Sequence, residues 1–187
     1  MRRLAALVLA IFISACASSS TAGALFTPSP PRATWIVAAD GQRIGEANFT
    51  NAPGGVLIRL EFSGTGLPPG WHGAHLHERG DCSDFAAGFQ AAGAHIGRAE
   101  HVQHGLQNPI GPEAGDLPNV FVAANPPYGA EFFLARVTLE APTAERPALL
   151  DSDGSALIIH AGPDDQQSQP SGGAGPRLAC AELRLAP

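Results

Sequence analysis

The stretch GWHGAHLHERGDC, residues 70–82, places three histidines within six positions. On a β-strand, side chains two apart share a face, so an extended chain here sets His75 and His77 side by side. Two neutral imidazoles so placed are close enough to bind one metal ion. Gly73 and Gly80 flank the pair, which a merely polar outward stripe does not explain. All seven histidines lie between positions 72 and 160. A lone histidine is more often a core or surface residue than a ligand, so it is the pair that points to a metal.

The elements around the pair are short. TWIVAA (34–39), RIGEANFT (43–50), GVLIRLEFSG (55–64) and WHGAHLHE (71–78) alternate or are rich in β-branched residues, with ADGQR, NAPGG and LPPG as turns between them. NVFVAA (119–124), EFFLARVTL (131–139), SALIIHA (155–161) and LACAELRLA (178–186) supply four more strands. A glycine-rich stretch with little period runs from about Arg79 to Leu117, and GPDDQQSQPSGGAGPR separates the last two strands. Loops of that size in a compact domain usually carry function. Eight strands and two oversized loops predict an all-β sandwich or closed barrel, with no helix of useful length after the first residues.

Those first residues read as an address. Arg2 and Arg3 precede an apolar run of ten, Leu4–Ile13, too short for a membrane span of about twenty. The run ends in Ile13-Ser14-Ala15-Cys16, which resembles the lipobox of bacterial lipoproteins, whose cysteine is acylated and becomes the mature N-terminus. An ordinary signal peptide cut after Ala24 is the alternative. The expected division is a signal peptide over 1–15, a proline-rich tether over 16–32 and one domain over 33–187. The expected location is the periplasm, with the chain anchored to a membrane by lipid on Cys16. Three cysteines in an exported chain leave one over after a single disulfide. With Cys16 lipidated, Cys82 and Cys180 remain to pair in an oxidising compartment.

The chain has eleven Lys and Arg, all of them arginine, against seventeen Asp and Glu, and a net charge of −6. That balance argues against nucleic acid and against an anionic membrane surface as partners.

GAHLHERGDC, AAGAHIG, HGLQNPIGPEAGDLPN, IIHAGPDD and GGAGPRLAC follow one another in the order and spacing of bacterial copper–zinc superoxide dismutases. The chain resembles that family from about Trp35 to its C-terminus. The resemblance implies an eight-stranded Greek-key barrel (an immunoglobulin-like sandwich) whose metal site lies under two long loops. It implies His75, His77, His95 and His160 as copper ligands. His95 would bridge to zinc, with His104 and Asp116 as further zinc ligands. Asp164 matches the carboxylate that joins one histidine from each metal, here His75 and His104. Arg177 matches the active-site arginine, Cys82 and Cys180 the intrachain disulfide, and His72 a structural histidine.

One zinc position departs from the pattern: Glu113 stands where the family has histidine. Three arrangements fit the sequence. Glu113 ligates zinc directly, as a carboxylate can; or His101, without a family counterpart, swings in; or zinc binds weakly or not at all, leaving a copper-only site. A second departure is the stretch HIGRAEHVQHG, which lacks the Asn-Pro expected after the bridging histidine.

The activity implied is disproportionation of superoxide to dioxygen and hydrogen peroxide, with His95 carrying a proton and Arg177 docking the anion. A non-catalytic copper-binding or buffering module of the same fold is the rival. Arg177 and Asp164 favour the enzyme, since storage needs neither an anion dock nor a link between two metals. Oligomeric state has no signal in the sequence.

Overall fold

Residues Gly55–Phe62 show how the chain sorts its side chains: Val56, Ile58, Leu60 and Phe62 are buried, while Arg59 and Glu61 face solvent. That period of two marks a strand with core on one side only. The computed structural model describes residues 29–64 and 66–185. Its strands are β1 (Arg32–Ala38), β2 (Arg43–Ala52), β3 (Gly55–Phe62), β4 (Gly70–His72), β5 (Ala74–His77), β6 (Val120–Val122), β7 (Tyr128–Leu134), β8 (Ser155–His160) and β9 (Arg177–Leu183). Two single-turn 3-10 segments, Phe85–Ala87 and Gln90–Ala92, lie in the first long loop. Cys16, the signal segment and most of the expected tether lie outside the described residues.

Seven strands form one antiparallel sheet in the order β5-β8-β9-β1-β2-β3-β7, and β4 pairs with β6. β4 and β5 are one strand bent at Gly73, whose N–H donates to Gly162 O (2.8 Å) and whose carbonyl accepts from His160 N (2.9 Å). β6 packs beside β7, so the sheet curls back on itself as a barrel. Counting β4 and β5 together gives the eight strands expected. The connections β3 to β4 and β7 to β8 cross between distant strands, which is the Greek-key pattern.

The barrel is filled by large side chains with no solvent contact, among them Ile36, Phe49, Ile58, Leu60, Leu76, Leu117, Leu139 and Leu149. Each such burial is worth roughly 1.5–3 kcal/mol relative to exposure.

β5 and β8 are buried on both faces. Ala74 and Leu76 of β5 face the barrel core, which leaves the alternate residues His75 and His77 on the outer face, under the long loops. In β8, Leu157 and Ile159 belong to the core. Ala156 and Ile158 instead join a second cluster with Cys82, Phe89, Ala92 and Cys180. Cys82 and Cys180 are disulfide-bonded, Cα–Cα 5.8 Å, and the bridge ties the first loop to β9.

β7 differs from the expected strand 131–139. It begins earlier, at Tyr128, and ends at Leu134 because the chain turns at Ala135-Arg136. That turn sends the Arg136 side chain to the backbone carbonyls of Glu113 and Asp116. Val137 and Leu139 still reach the core.

Candidate metal centre

His75 and His77 reach the site from β5, and His160 from the last position of β8. His95 follows the second 3-10 turn and is held against β5 by a bridge to His77. Their ring centroids lie close: His75–His95 4.3 Å, His75–His160 4.8 Å, His77–His95 4.9 Å and His77–His160 6.3 Å. One ring nitrogen from each of the four lies within 4.8 Å of the others, and all four residues are buried.

The outward ring nitrogens determine what the inward ones offer. His77 Nδ1 donates to Gly93 O (2.9 Å) and His160 Nδ1 to Gly175 O (2.8 Å). A carbonyl only accepts, so each of these nitrogens carries the proton and Nε2 keeps its lone pair. His75 is reversed: Nε2 donates to Asp164 Oδ2 (2.9 Å), leaving Nδ1 free. His75 Nδ1, His77 Nε2 and His160 Nε2 are buried without a hydrogen-bond partner. Buried polar atoms are seldom left unpaired. Three aimed at one point, with His95 beside them, make a set of lone pairs suited to a metal ion.

Burial also keeps these rings neutral. It lowers the pKa of His75 and of His77, the latter well below the usual imidazole range, and takes His160 down to about 3. Nitrogen donors of this kind suit copper.

The second group shares His95 and adds His104, Glu113 and Asp116, all buried. His95 Nδ1 lies 2.7 Å from Glu113 Oε2 and 3.6 Å from Asp116 Oδ1. His104 Nδ1 lies 2.7 Å from Asp116 Oδ1 and 3.8 Å from Glu113 Oε2. A tetrahedron with metal–ligand bonds of about 2.0–2.1 Å has edges of about 3.3–3.4 Å. The four distances straddle that edge, so two nitrogens and two oxygens fit a tetrahedral ion such as zinc.

Burial opposes the charged forms here, but the carboxylates outweigh it. His95 is raised by Asp116 and Glu113, and His104 by Asp116 and Asp164 to about 10. Asp116 and Asp164, despite burial, are held well below the usual carboxylate range by these histidines. The cluster is built to receive positive charge.

Asp164 spans the groups, its Oδ2 lying 2.9 Å from His75 Nε2 and 3.1 Å from His104 Nε2. Asn119 fixes it by exchanging two 2.8 Å bonds with its backbone. A Cβ at Gly172 would overlap Asp164 Oδ1, so only glycine leaves room. Asp116 Oδ2 accepts from the backbone of Gly105 (2.8 Å) and Glu113 (2.9 Å).

His101 is exposed on the turn Ala99–Val102 and is not part of either group. His72 is buried between His160 O (2.6 Å) and Pro68 O (2.8 Å), and its ring belongs to neither group. Arg177 is half-buried, donating to Phe89 O (2.7 Å) and Gly93 O (2.8 Å). It lines a cavity of about 200 Å³ together with His77, His95 and His160. Sequence reasoning passed over Arg136 and the Gly93 and Gly175 carbonyls. Arg136 carries no motif, and a backbone oxygen leaves no trace in residue identity.

A closed β-barrel with a four-histidine cluster, one ring of which is shared with a cluster of two histidines and two carboxylates, defines a dinuclear metalloprotein of the dismutase type. The family model for copper/zinc superoxide dismutase (SODC) matches residues 43–183, and the chain belongs to that family. It is 48% identical over 149 residues to the Cu-Zn superoxide dismutase of Caulobacter vibrioides, covering 80% of this chain and 83% of that protein. Cu-Zn superoxide dismutase 2 of Aquifex aeolicus is 39% identical over 150 residues, 80% of this chain and 84% of that one. The crystal structure of a SOD-like protein from Bacillus subtilis superposes with a TM-score of 0.71 at 31% identity, covering 81% of this chain and 97% of that chain.

Proposed function

We infer that the protein is a superoxide dismutase. Two superoxide ions and two protons give one dioxygen and one hydrogen peroxide. His75, His77, His95 and His160 are the copper ligands, and His95, His104, Glu113 and Asp116 the zinc ligands. Copper, when bound, supplies the one-electron redox change, and zinc a fixed positive charge beside His95.

This chain's residues do the rest. The Gly93 and Gly175 carbonyls and Asp164 hold three rings in the tautomer that binds. Arg177, fixed by two carbonyls, docks the anion in the cavity above the histidines. His95 holds a proton at Nε2, the nitrogen facing the four-histidine cluster, and delivers it to the nascent peroxide. Glu113 and Asp116 raise its basicity for that task.

The observation that carries this reading is the convergence of three unpartnered imidazole nitrogens beneath Arg177. Arg177 also favours catalysis over copper storage, which has no use for an anion dock. Superoxide consumption per bound copper tests it: a rate no better than free copper ions rules the enzyme out.

The chain is also exported in this reading, with a signal peptide over 1–15, lipid on Cys16, a tether over 16–32 and the catalytic domain over 33–187, acting in the periplasm. The disulfide supports an oxidising compartment. Labelling with radioactive palmitate, lost in Cys16→Ser, tests the anchor.

A further inference from the structure

Arg136 is half-buried at the turn that ends β7, and among the described residues it makes no ion pair. Its guanidinium goes instead to two peptide carbonyls, Nη2 donating to Asp116 O (2.5 Å) and Nε to Glu113 O (3.3 Å). One side chain therefore grips the backbone of both carboxylates in the second group, from 20 and 23 residues away.

Those carboxylates sit at the two ends of one turn. Asp116 N–H closes it on Glu113 O (3.2 Å), and Glu113 N–H donates to Asp116 Oδ2 (2.9 Å). On its inner side Leu76 N–H of β5 donates to Gly115 O, and Gly115 N–H to Ile96 O, both at 2.9 Å. A Cβ at Gly115 would collide with Leu76 O, so the turn lies directly against the strand. Arg136 holds the same turn from the β7 side, which fixes it between two strands.

Charge gives a second reason for an arginine here. Glu113, Asp116 and Asp164 place three buried carboxylates around His95 and His104. A divalent ion held by neutral histidines offsets two of the three, and an uncompensated buried charge is costly. Burial lowers the Arg136 pKa and the Asp116 carboxylate opposes that, so the two charges interact. The third negative charge is there because Glu113 stands where the family has histidine.

We propose that Arg136 is a positioning residue for the second metal ion, holding the Glu113–Asp116 turn and offsetting the charge that Glu113 adds. The proposal rests on Glu113 and Asp116 being ligands of that ion. Lysine would keep the charge but lose the planar fork that reaches two carbonyls at once.

Zinc affinity is measured by chelator competition on the copper-loaded protein. The set is wild type, Arg136→Gln, Arg136→Lys, Glu113→His and the double variant Arg136→Gln with Glu113→His. Arg136→Gln is expected to weaken zinc roughly 10–100-fold, the range for groups that support metal ligands. Arg136→Lys recovers part of that loss. In the Glu113→His background the Arg136→Gln change costs roughly fivefold less, because the charge it offsets has gone. Cobalt(II) put in place of zinc shows shifted d–d bands in Arg136→Gln, while the EPR spectrum of the copper-only protein is unchanged. Wild-type zinc affinity and cobalt bands in Arg136→Gln would overturn the role. So would equal losses in the two backgrounds, or an Arg136→Lys protein no better than Arg136→Gln, since either removes the part played by charge. A wild-type protein that takes up neither zinc nor cobalt would sink the ligand assignment instead.

Discussion

His77 and Arg177 hang from one backbone oxygen: Gly93 O accepts His77 Nδ1 at 2.9 Å and an Arg177 Nη at 2.8 Å. A ring of the four-histidine cluster and the arginine proposed to dock the anion therefore share a support. Gly93 has φ +78°, and a Cβ would sit 2.6 Å from Glu78 Oε1. Gly93→Ala is expected to alter the copper EPR spectrum and to lower the superoxide rate together. Arg177→Ala lowers the rate and leaves copper bound, and His160→Ala loses both copper and activity. Metal analysis beside the rate measurement separates the three.

Glu113 and His101 make opposite predictions. Glu113 Oε2 lies between His95 and His104, while His101 faces solvent. After dialysis, Glu113→Ala retains copper and loses zinc, whereas His101→Ala keeps both at wild-type stoichiometry. Zinc lost from His101→Ala would refute the assignment.

Asp164→Asn leaves a single neutral oxygen for His75 and His104, and its amide NH2 meets either those rings or the Gln166 N–H that now donates to Oδ1. Changes to such supporting groups typically cost 10–100-fold in metal affinity. Chelator competition on Asp164→Asn is expected to show a loss of that order for zinc. Gly172→Ala, which drives a methyl into Asp164, is expected to behave alike.

The metal-free protein should be acid-sensitive well above the carboxylate range. His75, His77 and His160 have folded pKa values below 6.5, so their contribution is intact above that pH and is lost as pH falls toward the folded values, about 3 for His160. Each group still neutral when folded costs about 1.4 kcal/mol per pH unit in that window. His104 has the opposite sign: its raised pKa stabilises fully below 6.5 and fades as pH rises through about 10. Asp116 and Asp164 lose their contribution only below their ordinary range near 3.8. Between pH 6.5 and about 4 the three lowered histidines therefore dominate. Calorimetry of the metal-free protein should show Tm dropping across that interval, less steeply in His160→Gln.

Reducing the disulfide removes a link between residues 98 apart in sequence, worth roughly 4–5 kcal/mol in the chain-entropy model. Phe89 packs in the cluster around that bridge, and its carbonyl holds Arg177. Melting curves with and without reductant should show the lower Tm, and the superoxide rate should fall at temperatures where the reduced protein is still folded.

What the sequence made legible follows from periodicity. The inward alternation of β3 and the one-residue spacing of His75 and His77 are local properties, and the structure keeps both. Limits of strands set by distant partners were not visible. β7 stops at Leu134 because Arg136 finds acceptors in the Glu113 and Asp116 carbonyls, 23 and 20 residues away in sequence. The same holds for the site: its histidines and carboxylates have names in the sequence, but the carbonyls that select their tautomers do not.

The antiparallel pairing of β1 with β9 puts the start of β1 and the cavity rim at opposite ends of the barrel. Ala38 lies opposite Ala179 and Ile36 opposite Ala181, so Arg32 falls toward the Leu183 end of β9 while Arg177 marks the other. Those ends are about 20 Å apart at ~3.3 Å per residue. A chain held to a bilayer through the proposed lipid on Cys16 would thus enter the barrel at the end opposite the cavity rim at Arg177, so the tether would not cross the site. Superoxide would then reach the site without passing the tether, and peroxide would leave by the same open rim.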